Sequence, residues 1–177
     1  MGVFSIQIAK AIGCHVTTTC STPNVEFCES LGADQIIDYK KGSVVDALKA
    51  SGYKFDHIVD NVSYDSDIYF ACDQFTNPGA EYMMIGGRPD FSFMGMMLKV
   101  RLLPSWLGGG SRKCVGFFAM PKVDELECMA NWMKEGKMKA VLDSRFAFED
   151  TPKAFERSKT GRVRGKVVVD VAPEGKA

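Results

Sequence analysis

The sequence predicts an α/β fold: a Rossmann-like, doubly wound, mostly parallel sheet, truncated at its first strand. Three observations predict it. Short β-branched runs alternate with helical patterns along the chain. The connections between them are short, and such alternation gives parallel strands covered on both faces. The chain also opens directly on a helix, Gly2-Val3-Phe4-Ser5-Ile6-Gln7-Ile8-Ala9-Lys10-Ala11-Ile12, closed by Gly13. In a nucleotide-binding βαβ unit a buried strand and a Gly-rich turn precede that helix. The chain either works without the first strand and most of the phosphate loop, or is one piece of a longer protein.

The elements follow in order. After the first helix, His15–Cys20 reads as a strand. Thr22-Pro23 reads as an N-cap with proline at the first helical position, opening a helix that runs to Leu31 and stops at Gly32. Gln35–Asp38 is a short strand. Ser43 opens a helix to about Ala50, with Asp46 three residues on, close to a capping box, and Gly52 ends it. His57–Asn61 is a strand, Asp65 to about Gln74 a helix, and Glu81–Gly87 a strand ending in two glycines. Lys113–Phe118 is the next strand. Pro121 to about Lys134 is a helix, with Val123, Leu126, Met129, Ala130 and Met133 on one apolar stripe. Asp150 to about Lys159 is the last helix and Lys166–Val171 the last strand. Gly108-Gly109-Gly110-Ser111 is the one expected hinge. Neither side of it has a core of its own, so residues 1–177 are read as a single truncated dinucleotide-binding domain.

The bulk numbers exclude several classes of function. The 177 residues are 46% hydrophobic and 25% charged, ordinary for a globular chain with a sizeable core. Lys+Arg and Asp+Glu are both 22, so no charge excess points to nucleic acid or an anionic membrane. Six cysteines, at 14, 20, 28, 72, 114 and 128, include no CxxC pair, and only His15 and His57 are available to join them. They read as reduced, small apolar residues of a cytoplasmic protein, with no metal site. No basic segment precedes the apolar stretch Val3–Ile12, so it is not read as a signal peptide. Ile6 stands where a myristoylation signal wants Ser or Thr. Phe91–Leu107 is interrupted by Lys99, Arg101 and Pro104 and is not read as a membrane span.

Several residues stand where chemistry collects. Gly2, at the positive end of a helix, lets backbone approach a pyrophosphate, though a glycine also simply starts a helix. Position 20 is where NAD-preferring folds carry an acid for the ribose 2′-hydroxyl. Cys20-Ser21-Thr22 and Asn24 offer hydroxyls and an amide instead, which suit a 2′-phosphate. Ser21 and Thr22 equally suit helix capping, and the two roles can coexist. Asp60-Asn61-Val62-Ser63, Ile85-Gly86-Gly87 and Phe117-Phe118 all lie at strand ends, where ligands of open α/β sheets bind; each is also ordinary turn chemistry. Arg162 and Arg164 suit phosphate or a solvated basic turn. No catalytic constellation is visible: His15 and His57 read as structural, and Tyr64 and Tyr82 are the only acid candidates near the strand ends. Met83, Met84, Met94, Met96 and Met97 read as core and interface packing, or as an adaptable lining for an apolar ligand.

Gly2–Lys10, Cys20-Ser21-Thr22, Leu31-Gly32-Ala33-Asp34, Ile37-Asp38-Tyr39, Asp60-Asn61-Val62 and the tail Phe148–Phe155 with Gly161–Val169 together resemble the medium-chain dehydrogenase/reductase superfamily. The similarity is to its quinone-oxidoreductase-like, zinc-binding-oxidoreductase-like branch, which includes enoyl reductases. It covers the whole chain but only the C-terminal, cofactor-binding half of a family member, with the tail at about 140–171. The resemblance implies an NADP(H)-linked oxidoreductase transferring hydride to a small apolar enone or quinone, weak or inactive as an isolated chain. It implies that Gly2 and Val3 belong to the end of the phosphate loop, and that Ser21, Thr22, Asn24 and Tyr39 approach the 2′-phosphate with Lys40 and Lys41 nearby. Asn61 and Val62 would lie near the nicotinamide ribose, Ile85, Gly86 and Gly87 beside the nicotinamide, Phe117 and Phe118 against its ring, and an arginine at 162 or 164 near phosphate. The zinc ligands of some relatives belong to the half not matched. Loss of a central strand leaves an uncovered edge, so a homo-oligomer is expected, with Phe91–Leu103 contributing. The alternatives are a scaffold reused for cofactor-free isomerisation, cyclisation or binding, and an interaction module that pairs with a full-length homologue.

Overall fold

The computed structural model describes residues 2–62, 66–85, 91–104, 107, 109–116 and 122–172. They form two compact units: Met1–Ile6 with His15–Pro121, and Gln7–Cys14 with Lys122–Ala177. Each is taken by itself.

The first unit is an α/β assembly of parallel strands. Helix α1 (Gly2–Ala11) contributes its first turns; β1 (Thr17–Cys20), α2 (Val25–Ser30), β2 (Gln35–Asp38), α3 (Val44–Ala50), β3 (Phe55–Asp60), α4 (Ser66–Ala71), β4 (Thr76–Met84), α5 (Phe91–Leu102) and β5 (Lys113–Gly116) follow. β1 pairs with β2, and separately β3, β4 and β5 form one sheet in that order; every pairing is parallel. Helix-containing crossovers such as α3 are what parallel strands require. The core is Ile37, Leu48, Tyr69, Cys72, Phe75, Tyr82 and Met84, contributed by strands β2 and β4, helices α3 and α4 and the short 3₁₀ turn after α4. Tyr69 and Tyr82 meet edge to face, with ring centroids 5.1 Å apart, the arrangement aromatic quadrupoles favour.

Most boundaries match the sequence pattern, and the departures have local causes. Gly32, at φ +97°, ends the second helix as expected, and Ser43 caps α3 by accepting from the Asp46 amide at 3.2 Å. Thr22 does not cap: residues 22–24 form a 3₁₀ turn with no side-chain cap, and the Thr22 hydroxyl instead donates to the Asp38 carboxylate at 2.6 Å. A charged acceptor offers the stronger bond. β4 begins five residues earlier than expected because Thr76 already pairs with Phe55, and the register shifts before His57 meets Glu81; Pro78 and Gly79 sit in that irregularity. Phe91–Leu102, read only as a Met-rich stretch, is a helix. Met84 is core, whereas Met94 is exposed; the side chains of Met96 and Met97 lie outside the described residues.

The expected hinge is instead a close-packed crossing. A Cβ on Gly110 would collide with the Tyr69 ring, and one on Gly109 with the Leu103 carbonyl. Tyr69 is 1% exposed and donates its hydroxyl to the Arg112 carbonyl at 2.9 Å. Glycine is required there by proximity rather than by flexibility. Gly108 lies outside the described residues.

The second unit contains the rest of α1, α6 (Val123–Lys134), β6 (Leu142–Ala147), α7 (Thr151–Lys159) and β7 (Lys166–Asp170). β6 and β7 form a parallel pair. β6 was not expected, because its Asp143 and Arg145 hide the apolar alternation. Both are engaged: Arg157 holds Asp143 through two bonds at 2.7 and 2.8 Å, and Arg145 reaches Asp170 at 2.7 Å. Gln7, buried, clasps the backbone of Lys139, accepting at 2.8 Å and donating at 3.2 Å. The predicted stripe of α6 forms a helix, with Val123, Leu126 and Met133 exposed.

Candidate functional site

One cavity of about 760 Å³ in the first unit is lined along both β1 and β3. Its lining includes Gly2 at the start of α1, Tyr39 after β2, and Asn61 and Val62 after β3. These four were expected from positions far apart in the chain, and the fold brings them to one concavity. At Gly2 a Cβ would meet nothing within 4 Å, and the first turn of α1 carries no acidic side chain. The positive end of that helix therefore meets no carboxylate in its own first turn.

Asp60 organises the turn at the end of β3. One carboxylate oxygen accepts the Val62 amide at 2.9 Å and the other accepts the Tyr82 hydroxyl at 2.7 Å. Asn61 accepts from the Ser5 hydroxyl at 3.2 Å, which joins the turn to the first turns of α1. The Ile85 amide donates to the Asp60 carbonyl at 2.9 Å, setting Ile85 beside the same strand end. Tyr82 is 1% exposed. Burial, then the neighbouring Asp60, push its hydroxyl far above the usual phenol range, so it donates a hydrogen bond and is a poor proton source. Tyr64, the other acid candidate, lies outside the described residues, as do Gly86, Gly87, Phe117 and Phe118. His57 lines the cavity from β3, and His15 stacks on Tyr53 with centroids 4.7 Å apart.

A second group collects at the ends of β1 and β2. The Tyr39 amide donates to the Cys20 carbonyl at 3.0 Å, and Asn24 donates to the Ser21 hydroxyl at 3.2 Å. Tyr39 is half exposed, with the Lys40 ammonium 5.7 Å from its ring centroid. Cys20 and Cys28 are buried side by side; burial first pushes the Cys20 thiol up to about 11, so it carries no charge into this group. The sequence reading missed Asp38. Its carboxyl lies below the usual range because it accepts from the Thr22 hydroxyl, then from the Lys40 amide, with Lys41 adding charge. The signal was available as an acid at a strand end. Only its pairing with Thr22, sixteen residues earlier, was not.

Arg162 and Arg164 belong to the second unit. The Arg164 amide donates to Asp143 at 2.9 Å, and the Arg162 amide to the Thr160 hydroxyl at 3.2 Å. Both side chains are exposed. Among the described residues no three His, Cys, Asp or Glu side chains converge on a point that would hold a metal ion. No helix among the described residues is long and apolar enough to cross a membrane.

Comparison with known proteins identifies the family of the chain. A family profile described as zinc-binding dehydrogenase matches residues 31–169. The chain is 47% identical over 175 residues to the trans-enoyl reductase pgmF of Aspergillus terreus, covering 96% of this chain and 48% of that protein. It is 32% identical over 183 residues to the mitochondrial NAD(P)H oxidoreductase RTN4IP1 of Mus musculus, covering 97% and 45%. The solved structure of the quinone oxidoreductase from Coxiella burnetii superposes with a TM-score of 0.73 at 25% identity, covering 97% of this chain and 49% of that one. The chain thus spans about half the length of the curated relatives it matches. It belongs to the zinc-binding dehydrogenase family, within the medium-chain dehydrogenase/reductase superfamily.

Proposed function

We propose that this chain is the NADP(H)-binding half of an oxidoreductase of the quinone or enoyl reductase type. The observation that carries the reading is that Gly2, at the start of α1, and Tyr39, Asn61 and Val62, just past the carboxyl ends of β2 and β3, line one cavity. The relatives' activities, trans-enoyl reduction and NAD(P)H oxidation–reduction, support it.

The residues divide the work. Gly2 and Val3, at the start of α1, receive the pyrophosphate. Ser21, Thr22, Asn24 and Tyr39, with Lys40 and Lys41, receive the 2′-phosphate, with Cys20 uncharged where an acid would select NAD. Asn61 and Val62, held by Ser5 and Asp60, position the nicotinamide ribose, and Ile85 stands beside them. Gly86, Gly87, Phe117, Phe118, Arg162 and Arg164 enter this reading through the family resemblance. When bound, the cofactor supplies a hydride from C4 of the nicotinamide to a polarised enone or quinone. The free cysteines favour a cytoplasmic setting.

Calorimetric titration tests the reading. NADPH should bind, and more tightly than NADH. Equal or reversed affinities remove the 2′-phosphate assignment, and no binding of either removes the cofactor assignment. Hydride transfer also needs a second wall that orients the acceptor and excludes water. The 177-residue chain alone should therefore reduce model enones or quinones weakly or not at all. Turnover on the order of 1 per second or faster, as ordinary enzymes show, overturns that expectation.

A further inference from the structure

Helix α5 is apolar on two sides. Val100 packs against the core cluster of the first unit. Phe91, Met94, Leu98 and Leu102 are exposed, Phe91 by 93%. At 3.6 residues per turn these four share one side of the helix, and Val100 falls on the opposite side. The exposed run continues past the helix at Leu103 and Leu107. Large apolar side chains gathered in this way mark a contact surface.

The charge pattern says what the surface contacts. The chain as a whole is balanced, with 22 Lys+Arg and 22 Asp+Glu. From Phe91 to Val123, however, the sequence has no Asp or Glu, and it carries Lys99, Arg101, Arg112, Lys113 and Lys122. Three of these cations are engaged: Arg112 donates to Thr76, Lys113 pairs with Glu81, and Lys122 pairs with Glu125. The other two belong to α5 itself. By helical spacing, positions 99 and 101 fall on the two flanks between the outward stripe and the side of Val100, and Lys99 is exposed. An outer face that is apolar along its middle and cationic along both margins fits the boundary of an anionic bilayer. The 12 residues of α5 are about 18 Å long, against roughly 30 Å of hydrocarbon, so the helix lies in the plane of the membrane.

A second copy fits the stripe less well. Self-contact through α5 gathers Lys99 and Arg101 of both copies, with no carboxylate in either helix to offset them. Without lipid the stripe can still be covered in this way, against that repulsion. Anionic headgroups turn the repulsion into attraction.

We propose that α5 docks the first unit onto an anionic phospholipid surface. Phe91, Met94, Leu98 and Leu102 enter the acyl boundary, and Lys99 and Arg101 extend their stems along it and leave their charges among the headgroup phosphates. Docking needs no nucleotide, so it stands or falls separately from the cofactor assignment.

The test mixes the full 177-residue chain, without nucleotide, with vesicles of phosphatidylcholine alone or of phosphatidylcholine with phosphatidylserine, and follows co-sedimentation. Binding to the serine-containing vesicles should be at least about ten-fold tighter and should weaken as salt rises. Amide exchange over Phe91–Leu102 should slow on those vesicles. Leu98→Ser and Lys99→Glu should each weaken vesicle binding about ten-fold with unchanged circular dichroism. Leu126→Ser on α6 and Lys159→Glu on α7, also at exposed positions, should leave it unchanged. The salt and exchange measurements use the parent chain and need no variant. No vesicle binding (including the case in which a second copy alone protects α5), equal binding to both kinds of vesicle, or lipid protection that spares α5 would each overturn the proposal.

Discussion

Tyr82 donates its hydroxyl to Asp60 at 2.7 Å, from β4 to the end of β3. The ring is in the core against Tyr69, and the same carboxylate holds the Val62 amide. One hydrogen bond therefore ties core packing to the turn that presents Asn61 to the cavity. Tyr82→Phe should destabilise the chain by about 1–2 kcal/mol in urea unfolding, the usual cost of removing one partner of a largely buried polar pair. It should also weaken NADPH binding by loosening Asn61. Unchanged stability and affinity would mean that the turn is held by other contacts.

On the proposed cofactor assignment, Asp38 opposes the 2′-phosphate. It places a negative charge beside Thr22, within the group assigned to the 2′-phosphate. Asp38→Asn keeps a hydrogen-bond acceptor and removes that charge. NADPH should bind about three- to ten-fold more tightly in the variant, the scale of one partly screened charge at this range, with NADH changed much less. Calorimetry at two salt concentrations checks both points, since the gain should shrink as salt rises.

Asp143 supplies the pH dependence of the second unit. Arg157, then the Arg164 amide, hold its carboxyl well below the usual carboxylate range. A carboxyl lowered on folding binds its proton more readily when unfolded. Its contribution is therefore fully present above the unfolded value of 3.8 and is lost as pH falls below it. Asp143→Asn should cost about 1–3 kcal/mol at pH 7, and the difference between variant and parent should narrow as pH drops below 4. Parallel denaturation series from pH 7 to pH 3 measure it.

Helix α5 carries Phe91, Met94, Leu98 and Leu102 on one face, spaced three or four residues apart, and all are exposed. We infer that this stripe contributes to self-association. Light scattering should show a dimer or larger species in the parent and a smaller one in Leu98→Lys. A clean monomer of the parent at high concentration would remove the inference.

The sequence by itself determined the alternation of strands and helices, and much of where each stops. Those signals are local: Gly32 and Gly52 end helices by their backbone freedom, Ser43 caps α3 three residues ahead, and Ile36 and Ile37 extend the chain. It also determined that Gly2, Tyr39, Asn61 and Val62 fall at element ends, because strand ends follow from the same pattern. Tertiary structure alone decided the rest. Thr22 abandoned its cap for Asp38, Gly110 was reserved for the Tyr69 ring, and β6 was stabilised through Asp143 and Arg157 despite its polar residues. Each of those choices pairs groups fourteen or more residues apart. Propensity and periodicity weigh a residue against its near neighbours. A charged hydrogen bond or a steric contact between distant residues has no trace in that pattern until the chain has folded around it.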